Sequence, residues 1–382
     1  MNPATPAPAA RSVAVSQRLM SLDALRGFDM FWIMGGDTIG HALEKMQAAD
    51  SGIVHLLATQ LNHVAWEGFR FYDLIFPLFV FIVGVSLVFS LTKMVEQEGR
   101  PAAVKRIVRR AALLWFIGVL YYGGWSEGVD RIRLVGVLQR IALCYLFAGL
   151  FFVYLKPRGL LIALVSLLAG YWAMLTFIPV PGLEHASFEE GKNLTNWVDS
   201  QFLPFRKWDG THDPEGLLST LPAIGTCLLG VFAGLLMRDP RWTPERRVQV
   251  LLGAGVAAIL LGHVWGLQFP VIKKLWTSSY VLIAAGWSAI LFAAFYWIID
   301  VKGISRWAQP FVWIGLNPIT IYLLGNLINF DTLAARVLGG PVQAFADSIS
   351  AGLGLVLISV GGMLLSVLVC WYLHRRKLYL RL

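Results

Sequence analysis

The chain has 382 residues, of which 57% are hydrophobic and only 14% are charged, and its formal net charge is +9. Soluble domains carry about 25% charged residues, so this composition excludes an ordinary soluble protein and favours an all-α, polytopic membrane helix bundle. The positive charges lie in short segments between apolar runs, where they act as topology signals. No nucleic-acid partner is therefore predicted.

The N-terminal segment, residues 1–18, is rich in proline and alanine and lacks the apolar core of a signal peptide. It is predicted to be a disordered cytoplasmic tail. The remainder, 19–382, contains no hydrophilic stretch long enough for a soluble domain, and we predict a single transmembrane domain there. Cys144, Cys227 and Cys370 each fall inside an apolar run. This pattern predicts neither a disulfide framework nor a metal site.

Apolar runs of about 20 residues, the length that crosses a bilayer as a helix, recur along this domain and predict about 10 spans. They lie at about 21–41, 72–92, 106–123, 134–155, 159–180, 217–237, 247–268, 275–299, 307–328 and 351–373. The first run is the least apolar, because it contains Asp23, Arg26, Asp29 and Asp37. Such side chains usually face a bundle interior or a wet cavity.

When the spans alternate from a cytoplasmic N-terminus, the cytoplasmic segments hold about twice as many Lys and Arg residues as the outer ones, as the positive-inside rule requires. Both termini are therefore predicted to be cytoplasmic. The outer side then has three longer segments, 42–71, 181–216 and 329–350. Acidic residues outnumber basic ones in the second, which suits a cationic or polyhydroxylated partner, and loops of this length are often functional.

Polar side chains crowd the outer mouth of the second span, in the segment LNHVAWEGFRFYDLIFP, residues 61–77. His63 is a candidate general base, because an imidazole has an unperturbed pKa near 6.5. The alternative is a histidine at the membrane interface that only forms a hydrogen bond with a loop. Trp66, Glu67 and Asp73 are candidate substrate-binding residues at the same mouth.

Three further carboxylates are predicted to lie on the outer side. Asp37, in the segment GGDTIG, is a candidate to orient His63 or to receive a proton, and a purely structural helix-end carboxylate is the alternative. Asp213 and Glu215, in the segment DPEG, are candidate substrate-binding residues at the start of the sixth span. A helix-capping role for Asp213 is equally compatible with that position.

Arginines form the second group of candidates. Arg109 and Arg110 belong to the basic run KRIVRR, residues 105–110, while Arg26 and Arg140 lie within spans. Arginine is a suitable phosphate ligand, although topogenic charge or pairing of Arg26 with Asp23 are alternatives. No Gly-rich phosphate loop, zinc spacing or Gly-x-Ser-x-Gly elbow occurs, which argues against an ATP-driven pump, a metallohydrolase and an α/β-hydrolase.

Five segments resemble the heparan-α-glucosaminide N-acetyltransferase family and its bacterial relatives. They are RLMSLDALRGFDM, NHVAWEGFRFYDLIFPLFVFIVGVSLVFS, GVLQRIA, DPEGLLST and KKLWTSSYV, and they occur in family order from about residue 18 to 300. The resemblance implies an acyltransferase of a bacterial inner membrane, with acetyl-CoA as the cytoplasmic donor, no metal, and an amino-sugar or oligosaccharide acceptor outside. It also implies a homodimer, a catalytic role for His63, and a family asparagine at the position of Asp37.

In the resulting hypothesis, Arg26, Arg109, Arg110 and Arg140 contact the CoA phosphates and the pantetheine arm threads the bundle. His63 deprotonates the amine of a glucosamine-like sugar. Direct transfer and a route through an acetylated histidine both stay open. An amino-sugar transporter and an O-acetyltransferase of envelope polysaccharide are the alternative functions.

Overall fold

The computed structural model describes residues 19–46 and 52–380, so the predicted disordered tail, 1–18, lies outside the described residues. The described chain is helical. Its helices are α1 (Met20–Glu44), α2 (Gly52–Leu61), α3 (Phe71–Tyr121), α4 (Val137–Tyr154), α5 (Pro157–Phe177), α6 (Leu194–Phe202), α7 (Thr220–Arg238), α8 (Pro244–Gly266), α9 (Ser278–Phe295), α10 (Gln309–Gly315), α11 (Pro318–Leu327), α12 (Phe330–Leu338), α13 (Pro341–Ile349) and α14 (Leu353–Arg375).

Seven of the described helices are long and apolar enough to cross a membrane, and the bent pair α10 and α11 would make an eighth span. The predicted class, a polytopic helical membrane protein, is confirmed. Helix α1 is not among the seven, because it contains five charged side chains. It nevertheless packs against α10, α14, α2 and α3 inside the bundle. The count of ten spans and the cytoplasmic termini stay predictions.

Helix α3 contains two of the predicted spans, 72–92 and 106–123, in one element of 51 residues. A straight helix of that length would measure about 77 Å, far more than the apolar core of about 30 Å. The chain bends at Gly99, whose φ of 85° lies in the left-handed region that glycine tolerates. Both halves of α3 can therefore lie within one bilayer.

The centre of the bundle is the crossing of α3 and α7. Gly84 of α3 faces the backbone of Cys227, and Gly230 of α7 faces the backbone of Phe81, so a Cβ at either glycine would overlap a main-chain carbonyl. Small residues allow this close approach in membrane bundles. The first half of α3, which begins beside the candidate base, is thus held in the main core.

The predicted span 307–328 is not one straight helix. Helices α10 and α11 meet at an angle of 68°, at Asn317-Pro318. Asn317 has the non-helical angles φ −131° and ψ 43°, and Pro318 has no N–H to continue the helical hydrogen bonds. The bend leaves Gly315 and Ile319 lining a cavity next to α1.

The three segments predicted as outer loops contain short helices. Helix α2 lies within 42–71, of which 47–51 are outside the described residues, α6 lies within 181–216, and α12 and α13 lie within 329–350. Asn193 caps α6 by accepting a hydrogen bond from the backbone N–H of Asn196 at 2.9 Å. Local capping of this kind orders segments that the hydropathy pattern leaves as loops.

Candidate active site

His63 and Asp73 form a hydrogen-bonded pair at the start of α3. His63 Nδ1 lies 2.8 Å from Asp73 Oδ1; the aspartate side chain is 1% exposed and the histidine side chain 47% exposed. The other oxygen, Oδ2, accepts hydrogen bonds from the backbone N–H groups of Arg70 and Val64, at 3.1 and 3.3 Å. This capping arrangement fixes the carboxylate. A carboxylate on Nδ1 favours the tautomer in which Nε2 can accept a proton.

Lys273 completes this group, although the sequence analysis did not single it out as a site residue. Its Nζ lies 2.8 Å from His63 Nδ1, 3.1 Å from Nε2 and 3.4 Å from Asp73 Oδ1. The lysine is 210 residues from the histidine along the chain, so spacing could not connect them. The available signal was its place in KKLWTSSYV, one of the five resembling segments.

The surroundings of His63 favour its neutral form. Burial has the largest effect on the pKa of His63 and lowers it, and the charge of Lys273 lowers it further. The hydrogen bond and charge of Asp73 and the charge of Asp37 raise it, but the net pKa lies below the ordinary value of 6.5. Burial also lowers the pKa of Lys273, against the attraction of Asp73. A neutral imidazole beside a cation has the protonation state that a general base needs.

Two backbone contacts bring the loop of His63 to the loop of Lys273. Gly68 N–H donates to the carbonyl of Val271 at 2.8 Å, and Glu67 forms an isolated antiparallel bridge with Ile272. Glu67, predicted to bind substrate, is exposed at this bridge. The bridge explains why residues so distant in sequence meet.

A cavity of about 420 Å³, here called the His63 cavity, opens beside this pair of loops. His63 and Lys273 contribute polar groups to its wall. Its other principal lining side chains are aromatic or charged: Trp66, Tyr122, Trp208, Trp276, Asp209, Glu215 and Lys274. A few polar groups among aromatic walls are typical of a small-molecule site.

Arg133 lines this cavity and organises one side of it. Its guanidinium donates to both oxygens of Asp213, at 2.8 and 2.7 Å, and to Glu215 at 2.7 Å. It also lies over the rings of Tyr122 and Trp208, at 4.3 and 4.8 Å from their centroids. Asp213, predicted to bind substrate, is fully buried and is used to hold Arg133. Glu215 both pairs with Arg133 and lines the cavity.

The remaining predicted residues on this side separate into two groups. Trp66 lines the His63 cavity, and its indole N–H donates to the carbonyl of Phe188 at 3.0 Å. Asp37 instead approaches Nδ1 of His41 at 3.4 Å, with more than half of its side chain exposed. The carboxylate in contact with His63 is Asp73, and the predicted role of Asp37 stays a prediction.

A second cavity of about 490 Å³, here called the Arg26 cavity, lies among α1, α3, α4, α10 and α11. Three of its lining side chains are basic, Arg26, Arg106 and Arg110, and most of the others are apolar. Arg26 donates to Asp23 at 3.1 Å, which is the pairing considered as an alternative from the sequence, and to Ser86 at 2.8 Å. Ser86 lies 13 residues beyond Asp73 on α3, about 20 Å along the helix, so the guanidinium and the histidine pair are well separated.

The predicted CoA ligands fall at different places. Arg26 and Arg110 line the Arg26 cavity together with Arg106. Arg106 belongs to the basic run KRIVRR but was not predicted as a CoA ligand. Within the described chain Arg109 is exposed and does not line that cavity. Arg140 differs from the prediction: it is buried, lies 4.9 Å from the ring centroid of Trp276 and donates to the carbonyl of Gly216 at 3.3 Å. It supports the wall of the His63 cavity, because it lies over the ring of Trp276, which lines that cavity.

One group among the described residues has the composition of a metal site. Ligand atoms of Glu190, Asp209 and His212 lie within 4.8 Å of one another. However, Lys274 Nζ lies 2.8 Å from the Glu190 carboxylate and 3.0 Å from the Asp209 carboxylate. The Lys274 ammonium thus already pairs with both acids, and it ties the 181–216 segment to the loop of Lys273.

Comparison with known proteins gives the family of this chain. Residues 18–263 match the family described as heparan-alpha-glucosaminide N-acetyltransferase, catalytic. Heparan-alpha-glucosaminide N-acetyltransferases of Homo sapiens and Mus musculus are each 27% identical to this chain, over 69% of it and 48% of their own length. The chain thus spans about half the length of the curated relatives it matches. Because the family match extends over more than half of the sequence, this chain belongs to the heparan-alpha-glucosaminide N-acetyltransferase family.

Proposed function

We propose that the protein is a transmembrane N-acetyltransferase that moves an acetyl group from acetyl-CoA to the amine of a glucosamine-like sugar. The observation that carries this proposal is a pair of adjoining cavities, one beside a buried carboxylate–histidine pair and the other lined by three arginines. The name shared by the two relatives supports the reaction class.

The Arg26 cavity suits the donor. Guanidinium groups bind phosphate through charge-assisted hydrogen bonds, and Arg106 and Arg110 lie at the end of the cavity formed by the second half of α3. The apolar walls between these arginines and the His63 cavity suit an extended pantetheine arm. On the topology predicted from Lys and Arg counting, this end faces the cytoplasm of a bacterial inner membrane, and a homodimer remains part of the proposal.

The His63 cavity suits the acceptor. Its aromatic walls can pack against the faces of a sugar ring, while Glu215 and Asp209 can accept hydrogen bonds from hydroxyl or amino groups. On the same topology this cavity faces the outer compartment. The acetyl group would thus cross the membrane barrier within the protein.

In the transfer step, the amine nitrogen attacks the thioester carbon while His63 Nε2 takes a proton from the amine. The C–N bond forms, the C–S bond breaks, and the sulfur leaves as a CoA thiol after it receives that proton from His63. Asp73 stabilises the intervening imidazolium. Lys273 gives up its contact with Nε2 as the amine enters, and its charge then stabilises the developing oxyanion. A route through an acetylated His63 uses the same nitrogen as the nucleophile.

The test is acetylation of glucosamine by the purified protein in detergent with acetyl-CoA as donor. Wild-type protein is expected to form N-acetylglucosamine, and His63→Ala is expected to lose at least about 10²-fold in rate, because general-base catalysis contributes about 10²–10⁴-fold. His185→Ala, at an exposed histidine in the 181–216 segment, is the matched control. Near-normal turnover by His63→Ala protein that elutes like wild-type protein in size-exclusion chromatography would overturn the assignment of His63 as the general base.

The same preparation separates the alternative functions. Uptake of labelled glucosamine into liposomes without acetyl-CoA, with no acetylated product, would identify a transporter. Acetylation of an N-blocked sugar but not of the free amine would identify an O-acetyltransferase.

A further inference from the structure

The wall between the two cavities is thin and consists of few side chains. Val137 lines both cavities. Phe76 lines the Arg26 cavity and Trp276 lines the His63 cavity, and their rings meet edge to face with centroids 5.1 Å apart. Phe76 lies three residues after Asp73 on α3, on the same helical face. The wall is therefore directly beside the His63 pair.

Trp276 is the fixed side of this wall. It is 1% exposed, its indole N–H donates to the hydroxyl of Thr226 at 3.0 Å, and Arg140 lies over its ring. Contacts on the edge and on the face leave little freedom for the indole. Arg140 also donates to the hydroxyl of Ser219, which connects the wall to the start of α7.

Val137 is the opposite side of the wall. It is the first residue of α4 and follows Gly136, and it is only partly buried because its side chain borders two open spaces. A valine side chain is short and branched, so it separates the two cavities with less bulk than a large ring would. The size of the side chain at this position therefore sets the thickness of the wall here.

We propose that Val137, Phe76 and Trp276 form the aperture through which the donor thioester reaches His63, and that Val137 sets the largest acyl group that can be transferred. This inference rests on the proposed function. The carbonyl carbon must lie within reach of the acceptor nitrogen in the His63 cavity, while the CoA nucleotide stays with the arginines. The pantetheine arm then passes through the aperture, and any carbon beyond the acetyl methyl lies at its His63 side, where Val137 also lines the wall.

The expected discrimination follows from the size of a methylene in an apolar pocket. One methylene more or fewer than the pocket accommodates changes kcat/KM by roughly 10–200-fold. Wild-type protein is thus expected to prefer acetyl-CoA over propionyl-CoA by a factor in this range. Val137→Ala removes two methyl groups from the aperture and makes room for a longer acyl chain.

The experiment compares acetyl-CoA, propionyl-CoA and butyryl-CoA as donors for glucosamine acylation. Val137→Ala is expected to raise the propionyl-to-acetyl ratio of kcat/KM by about 10-fold, as one accommodated methylene would. Ile141→Ala is the matched control: it lies one turn further along α4 and lines the Arg26 cavity but, among described lining residues, not the His63 cavity. It is expected to leave this ratio within about 2-fold, which is within the resolution of such kinetics.

A second variant tests the aperture in the opposite direction. Val137→Phe narrows it and is expected to lower kcat with acetyl-CoA by about 10-fold or more, while the Kd of CoA measured by calorimetry stays unchanged. If wild-type protein acylates nothing, the proposed function fails. If wild-type protein acetylates glucosamine but neither Val137 variant changes the donor ratio or kcat, the aperture is overturned and the proposed function stands.

Discussion

The two cavities are similar in volume, about 420 and 490 Å³, but they differ in how their charges are held. In the His63 cavity, Asp73 and Arg133 are almost fully buried charges, and each is bound by several partners. In the Arg26 cavity, the charged lining side chains are arginines. Arg26 is held by Asp23, Gly315 and Ser86, whereas Arg106 lies at an exposed position. A catalytic site requires charges that are fixed before the substrate arrives. A site for a CoA donor would instead need ligands for the phosphates and apolar walls along the pantetheine arm.

This difference predicts where conservative substitutions are most damaging. Asp73→Asn keeps the shape and the capping oxygen but loses the negative charge that stabilises a protonated His63. We expect kcat to fall by about 10²–10⁴-fold with the protein still folded, since an amide oxygen can accept the bonds from Arg70 and Val64. The measurement is glucosamine acetylation with saturating acetyl-CoA.

Asp37→Asn is the matched substitution, and it also introduces the residue that the family resemblance implies at this position. Because Asp37 pairs with His41 and is more than half exposed, we expect a much smaller loss than for Asp73→Asn. A loss of kcat as large as that of Asp73→Asn would support the role predicted for Asp37 from the sequence, which is to orient His63 or to receive a proton.

The Arg26 cavity predicts a binding defect of intermediate size. Arg110→Gln removes one charge-assisted phosphate contact and is expected to raise the KM for acetyl-CoA by about 10-fold, with kcat changed little. Arg109→Gln changes the neighbouring, exposed arginine and is expected to have a small effect. Equal effects of the two variants would indicate that the basic run attracts CoA by its overall charge. They would contradict a specific contact between Arg110 and a CoA phosphate.

The smallest expected effect is a shift in pH dependence. A base works when deprotonated, so kcat/KM falls as the pH drops through the pKa of free His63. Lys273 lowers that pKa, and Lys273→Met removes its charge. The acidic limb of the profile is therefore expected to move to higher pH, whatever the remaining rate. Profiles between about pH 5 and 8 would measure it.

Lys274→Met is the control for this shift. Lys274 is held by Glu190 and Asp209, so its removal is expected to leave the acidic limb where it is in wild-type protein. An unmoved limb in Lys273→Met, or movement to lower pH, would contradict the assigned influence of Lys273 on His63.

The sequence by itself determined the class of fold and most of the helix positions, because a bilayer requires long apolar helices and this requirement is local. It also identified the polar segment 61–77 and His63, since those residues are consecutive and chemically conspicuous. The bend between α10 and α11 was less accessible: Asn317-Pro318 is visible in the sequence, but the 68° angle depends on packing.

Only the tertiary structure decided which charges meet. Asp73, not Asp37, contacts His63, because the capping geometry at the start of α3 turns its carboxylate towards the preceding loop. Lys273 reaches the pair across 210 residues, and Arg140 lies beside Trp276 instead of the other arginines. Hydropathy depends on neighbours along the chain, whereas contacts of buried charges depend on which helices pack together and on how each is rotated.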